Sequence, residues 1–327
     1  MAKLPNLPRT KSATEVPKLF REPDVHNGYR IPNQPITYYA LSMFQVHNEL
    51  LNVWTHVIAF SILLYRSLTF ISQVDLSDPH AWPLLIFCTS CCMYVFLSST
   101  AHLFQSQSEL THYTCFFMDY IGISLYGFSS GMVHFYYSAE ESYIKFIGSG
   151  WFFFVVTLCL ASFACFANGY PKVKYTRPYP YTRKLWQLGS VGSLYLWIIA
   201  PIFHHIIMCK SNSCTDEGIY YHEAQVFWFL IGAVFFALPY PQKIAPGWFD
   251  IVGHGHQFFH IFIPICTYSQ MQAEYFDLVN RREIIEKYFE PSFMMTFGLT
   301  AVLLIVNFII LFWLRIKVVE KIKLKGE

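Results

Sequence analysis

Long apolar runs, parted by shorter polar stretches, repeat along the whole of this chain. Crossing a bilayer as a helix takes about 20 such residues. Runs of that kind lie near 52–74, 82–104, 115–137, 144–167, 185–208, 222–240, 250–272 and 293–314. The pattern predicts an all-α polytopic membrane bundle, a seven-helix core plus an eighth C-terminal transmembrane helix. Seven spans would remain if the last run only lay on the surface. The sixth and seventh runs are the least distinct, because Pro239, Pro241, Pro246 and Gly247 separate them and the seventh opens on a His-rich stretch. Three regions follow: an N-terminal segment over 1–45, a transmembrane helical domain over 46–314 and a basic tail over 315–327.

Composition sharpens this picture. Of 327 residues, 54% are hydrophobic and 13% charged, with 32 Phe and 22 Tyr; soluble domains carry roughly 25% charged residues. A net charge of +2, with no basic patch interleaved with aromatics, gives no reason to expect nucleic acid. The first 40 or so residues are polar and lack a short apolar core, so no secretory signal is expected.

Lysine and arginine set the expected orientation. On one side fall Lys3, Arg9, Lys11, Lys18, Arg21 and Arg30, then Lys172, Lys174, Arg177, Arg183 and Lys184, then Lys243, and finally Arg315, Lys317, Lys321, Lys323 and Lys325. The other side has Lys145, Lys210, Arg281, Arg282 and Lys287, and Arg66 falls inside the first run. Both termini are therefore expected in the cytosol. Seven of the nine cysteines lie in apolar runs, whereas Cys209 and Cys214 flank a loop placed outside. There an oxidising compartment permits a disulfide without requiring it.

With that orientation, polar residues from distant runs meet at one depth. His102 ends the second run near the cytosol, with Ser98 one turn deeper. Asp119 lies about one turn into the third run, and His256 and His260 lie in the first two turns of the seventh. Residues four apart share a helical face, so the HxxxH pair can reach one ion. Charged side chains inside a membrane cost roughly 2.5–3.5 kcal/mol each, a cost that mutual compensation around a cation offsets. Three imidazoles favour Zn²⁺ and leave a fourth position open for water, whose pKa zinc lowers toward about 7. Asp119 could then hold that water or move its proton, and Ser98 could orient a partner. A polar interhelical network without metal is the plainer alternative. His56, His134, His204, His205 and His222 read as hydrogen-bonded helix–helix contacts, and His254 points to another face. The charged stretch 274–290 and the basic tail read as solvated faces, the tail as a stop-transfer anchor or a seat for anionic membrane lipids.

These residues also carry a resemblance. Ser98-Ser99-Thr100-Ala101-His102, Phe117-Met118-Asp119-Tyr120, Pro246-Gly247-Trp248-Phe249-Asp250 and Gly253-His254-Gly255-His256-Gln257-Phe258-Phe259-His260 resemble the signature of the progestin and adipoQ receptor family. His47-Asn48-Glu49-Leu50-Leu51-Asn52-Val53-Trp54-Thr55-His56 is similar to the start of that family's first helix. The segment from Phe20-Arg21-Glu22 to Gly28-Tyr29-Arg30 resembles the membrane progestin receptor branch, as does an eighth span. The resemblance implies zinc ligands at His102, His256 and His260, with Ser98 and Asp119 beside the metal. It further implies a plasma-membrane receptor for progestins, rapid non-genomic signalling through a G protein or another cytosolic partner, and a ceramidase-like hydrolase as the alternative activity. An aromatic, apolar interior suits a lipophilic ligand, although most of those rings serve packing and interfacial belts. A transporter is disfavoured, because there is no internal repeat and no matched pair of broken helices.

Overall fold

Local signals in the sequence start and stop the helices. Ser108 caps one by accepting from the Thr111 amide at 3.1 Å, and Asp216 caps another through the Gly218 amide at 2.8 Å, each satisfying an otherwise unpaired donor. Pro83 sits in a first helical turn, where its missing N–H costs nothing. The computed structural model describes residues 7–214, 216–288 and 290–326. Lys3 of the N-terminal cation group and the terminal Glu327 lie outside the described residues.

Among the described residues eleven α-helices follow one another: α1 Ile36–Ser42, α2 Leu50–Ile71, α3 Trp82–Phe104, α4 Glu109–Val133, α5 Glu141–Ile147, α6 Gly150–Lys174, α7 Tyr181–Ser211, α8 Glu217–Ala237, α9 Gly255–Asn280, α10 Arg282–Tyr288 and α11 Leu299–Gly326. Among the described residues there is no strand, only an isolated antiparallel bridge between Lys11 and Tyr29. Helices α2, α3, α4, α6, α7, α8 and α9 pack in sequence and close into a ring, with α9 returning to α2, while α11 leans on α4 and α6. The expected seven-helix core with an eighth helix is therefore the architecture. Asn307 of α11 donates to Ser124 at 2.9 Å, and Ser124 donates to the Ala161 carbonyl at 2.8 Å, tying α11, α4 and α6 together.

Among the described residues, six helical segments are long and apolar enough to cross a membrane: Leu50–Ile71, Pro79–Phe104, Gly150–Lys174, Tyr181–Ser211, Glu217–Ala237 and Met294–Lys325. The other two long helices, α4 and α9, have 25 and 26 residues and carry more polar side chains. Neighbours flank them on several sides, so these polar groups meet protein rather than lipid. Elsewhere large apolar side chains such as Ile62, Leu68, Leu196, Phe227 and Phe312 stand exposed, as a lipid-facing surface requires.

Three boundaries differ from expectation. The run at 144–167 divides, because Gly148 takes a left-handed φ of 74° that closes α5, and α6 begins only at Gly150. α6 then continues to Lys174, so Lys172, expected in a loop, is buried with its ammonium 3.4 Å from the centroid of the Phe116 ring. The seventh span also lies further along: α9 starts at Gly255 and runs to Asn280. Glu274 and Asp277, expected on a solvated face, are thus fully buried. Arg66 reaches Gln272 at 2.6 Å from inside α2.

Candidate functional site

Near one end of the ring the N-terminal segment folds over the helix termini. Arg30 is buried there and donates to the His102 carbonyl at 2.7 Å, to that of Leu103 and to Ser42. A guanidinium on these carbonyls suits the negative end of α3, and although burial lowers its pKa to about 10, it keeps its charge at neutral pH. Asp250 accepts from the His26 amide at 2.7 Å and from Asn27 at 3.0 Å, so the loop before α9 is held by the same segment.

This frame fixes three imidazoles. His102 near the end of α3 and His256 and His260 at the start of α9 point their Nε2 atoms at one spot: His256 Nε2 lies 3.3 Å from that of His102 and 3.1 Å from that of His260. His102 and His260 are buried, while His256 is partly open. Nδ1 of His102 sits 2.7 Å from Glu49 Oε2, and Nδ1 of His260 sits 3.2 Å from the Asn52 carbonyl. An ionised carboxylate and a carbonyl only accept, so each Nδ1 carries the proton and each Nε2 offers a lone pair. One Nε2–H on His256 could satisfy one of these neighbours but not both. A shared cation satisfies all three, and two nitrogens bound about 2.0–2.1 Å from a tetrahedral ion stand about 3.3–3.4 Å apart. The trio could therefore hold a metal ion.

The carboxylates around it divide the work. Glu49, just before α2, is buried and takes Asn52 Nδ2 at 2.7 Å and Gln105 Nε2 at 3.3 Å besides His102. Burial alone would raise its pKa, but the adjacent His102 and the Asn52 donor hold it well below the carboxylate range. Glu49 was not expected as a site residue. Its sequence signal is a carboxylate among His47, Asn48 and Asn52, all buried at the head of an apolar run. Asp119 of α4 is buried, faces the Ser98 side chain and lies in the field of His102 and Lys172. All five expected residues thus share one region, with Glu49, Asn52 and Lys172 added to them.

The other histidines have varied fates. His254 is the N-cap of α9, and its Nε2 lies 3.0 Å from the Asn48 carbonyl. His134 pairs with the Ile198 carbonyl and Gln270, and His204 lies 3.3 Å from Ser142. His56 differs from expectation: it makes no hydrogen bond and instead stacks on His260, with centroids 3.9 Å apart and planes at 13°.

A family described as haemolysin-III related matches residues 44–271, which hold Glu49, Ser98, His102, Asp119, His256 and His260. The chain belongs to the haemolysin-III-related family. Within it, the chain is similar to membrane progestin receptor beta of Mus musculus, 42% identical over 284 residues, covering 86% of this chain and 79% of that protein. Membrane progestin receptor alpha-B of Danio rerio is 39% identical over 285 residues, 86% of this chain and 80% of that one. Membrane progestin receptor alpha of Homo sapiens is 37% identical over 306 residues, 90% and 87% respectively. This haemolysin-III-related chain therefore keeps company with membrane receptors, as its motifs imply.

Proposed function

We propose that this chain is a plasma-membrane receptor for a progestin, with both termini cytosolic and a Zn²⁺ ion held by His102, His256 and His260. It signals without transcription, through a G protein or another cytosolic partner. The receptor reading is supported by the relatives' names, and the zinc reading by the three converging Nε2 atoms. Zinc, when bound, supplies Lewis-acid polarisation and lowers the pKa of a water.

The chain's own residues do the rest. Glu49 holds the tautomer of His102, and the Asn52 carbonyl holds that of His260. Arg30 anchors the end of α3 that carries His102. Asp119, steadied by Ser98, would hold or pass a proton beside the three imidazoles, with the Lys172 side chain nearby. A buried carboxylate placed there favours one second reading, a lipid amide hydrolase of the ceramidase kind.

Purified protein in lipid nanodiscs tests both. Wild type should bind a tritiated progestin saturably, and His256→Ala should lose one equivalent of zinc. No saturable steroid binding would sink the receptor reading, and unchanged metal content would sink the site. Asp119→Asn should keep zinc; ceramide turnover that wild type shows and that both Asp119→Asn and His256→Ala lose would mark a hydrolase.

A further inference from the structure

Some twenty residues beyond His256, and so about 30 Å along α9, a second cluster lies buried at the other end of the ring. His205 of α7, His222 of α8 and Asp277 of α9 bring their ligand atoms within 4.8 Å of one another. The separation from the first cluster is about the thickness of a bilayer's hydrocarbon core. His222 Nε2 lies 3.0 Å from Asp277 Oδ2. Oδ1 of Asp277 is buried without a hydrogen-bond partner, a condition that few native polar atoms tolerate, and Nε2 of His205 faces the Asp216 carboxylate at 3.3 Å.

Each ligand has the backing that a metal site needs. Nδ1 of His205 lies 2.6 Å from Glu140 Oε1, which Arg281 also holds at 2.9 Å. That Nδ1 therefore carries the proton, as in His102 beside Glu49, while Nε2 faces the Asp216 carboxylate, so a cation standing between them would take the place of an Nε2 proton. Nδ1 of His222 faces the Gln225 amide at 2.7 Å. Turning that amide by 180°, a change of no bulk, lets its oxygen accept from Nδ1–H and releases Nε2 as a donor to metal.

Charge points the same way. Asp277, Glu140 and Asp216 each face a histidine of the cluster, and Arg281 pairs with two of them, Glu140 at 2.9 Å and Asp277 at 3.8 Å. Asp216 Oδ2 lies 3.3 Å from His205 Nε2 and is the nearest further oxygen. Gly218 leaves the space this needs, since a Cβ there would stand 2.6 Å from Asp277 Oδ1.

We propose that His205, His222 and Asp277 form a second metal site, for a borderline divalent ion of the zinc class, which pins α7, α8 and α9 at the end opposite the His102 cluster. The rival occupant is a proton on the histidines.

The test is metal stoichiometry of the full chain in nanodiscs, equilibrated with Zn²⁺ and then desalted. Wild type should hold two equivalents, and His222→Gln and His256→Ala one each. One equivalent in wild type that His222→Gln removes would sustain this site and remove the first. One equivalent lost only in His256→Ala, or two retained in His222→Gln, would overturn the proposal. Should His222→Gln fail to fold, His256→Ala decides alone. That variant must still bind one Zn²⁺, and Co²⁺ in its place must give the visible absorption of a tetrahedral His/carboxylate site; zero binding overturns the proposal.

Discussion

Oε2 of Glu49 lies 2.7 Å from Nδ1 of His102, joining the head of α2 to the end of α3 across 53 positions of sequence. This contact decides which nitrogen of His102 faces the other two imidazoles. Glu49→Gln keeps the shape and an accepting oxygen but removes the charge. Losses of a partner to a metal-ligating histidine run to about 10–100-fold in affinity, so chelator competition should show weaker zinc binding with the fold intact. Unchanged affinity would mean that the pair is only a helix tie.

Gly255 begins α9 against the end of α8. A Cβ there would collide with the Tyr240 carbonyl and press on those of Leu238 and Phe235. Backbone cannot swing aside as a side chain can, so Gly255→Ala should push α9 outward, at about 1–3 kcal/mol. His256 and His260 would move with it. The expected outcome is a lower melting temperature together with reduced metal content; wild-type values for both would refute the packing argument.

Arg177 holds the N-terminal segment by contacting the Arg21 carbonyl and by pairing with Glu22 at 2.6 Å. Burial raises the Glu22 pKa, but Arg177 outweighs it and leaves the carboxyl below its usual 4.5. A lowered folded-state pKa gives stability that is present above 4.5 and lost as pH falls through the folded value. The Glu22 side chain keeps 39% exposure, so screening holds the effect to on the order of 1 kcal/mol. Limited proteolysis near Arg21 should accelerate below pH 4.5 in wild type, whereas Glu22→Gln should be cut faster already at pH 7. Equal rates at pH 7 would show that the pair does not hold the segment.

Cys209 and Cys214 form a disulfide at the end of the ring away from His102. In the orientation proposed above this bond would face outward. On intact cells, a membrane-impermeant reductant followed by an impermeant maleimide should label the wild type but not a Cys209→Ser/Cys214→Ser variant. Labelling that needs permeabilised cells would invert the orientation.

Six of the eight long helices were legible because lipid selects helices that are apolar over most of their surface, and a run of the right length records that; α4 and α9 were legible by run length alone. Ends were harder to read. A window of charge reads alike whether water or a buried network solvates it, so Glu274 and Asp277 looked like a loop although α9 carries both inside. Lys172 misled for the same reason. His102, His256 and His260 were traceable because spacing and depth are functions of sequence position alone. Glu49 was not, because its role depends on how the N-terminal segment turns beneath α3, which no periodicity encodes.

The polarity of α4 and α9 has a bearing on biogenesis. Neither helix passes the hydropathy test that its six companions pass, and each would strand unpaired polar groups if released singly into bilayer from the translocon. For α9 the packing partners α2, α3 and α8 all precede it, whereas α4 has α3 before it and α6, α7 and α11 after it, so its polar groups are fully enclosed only when later helices join. A substitution that weakens those partnerships would then show itself first as chain failing to integrate and being degraded, before any ligand binding could be assayed.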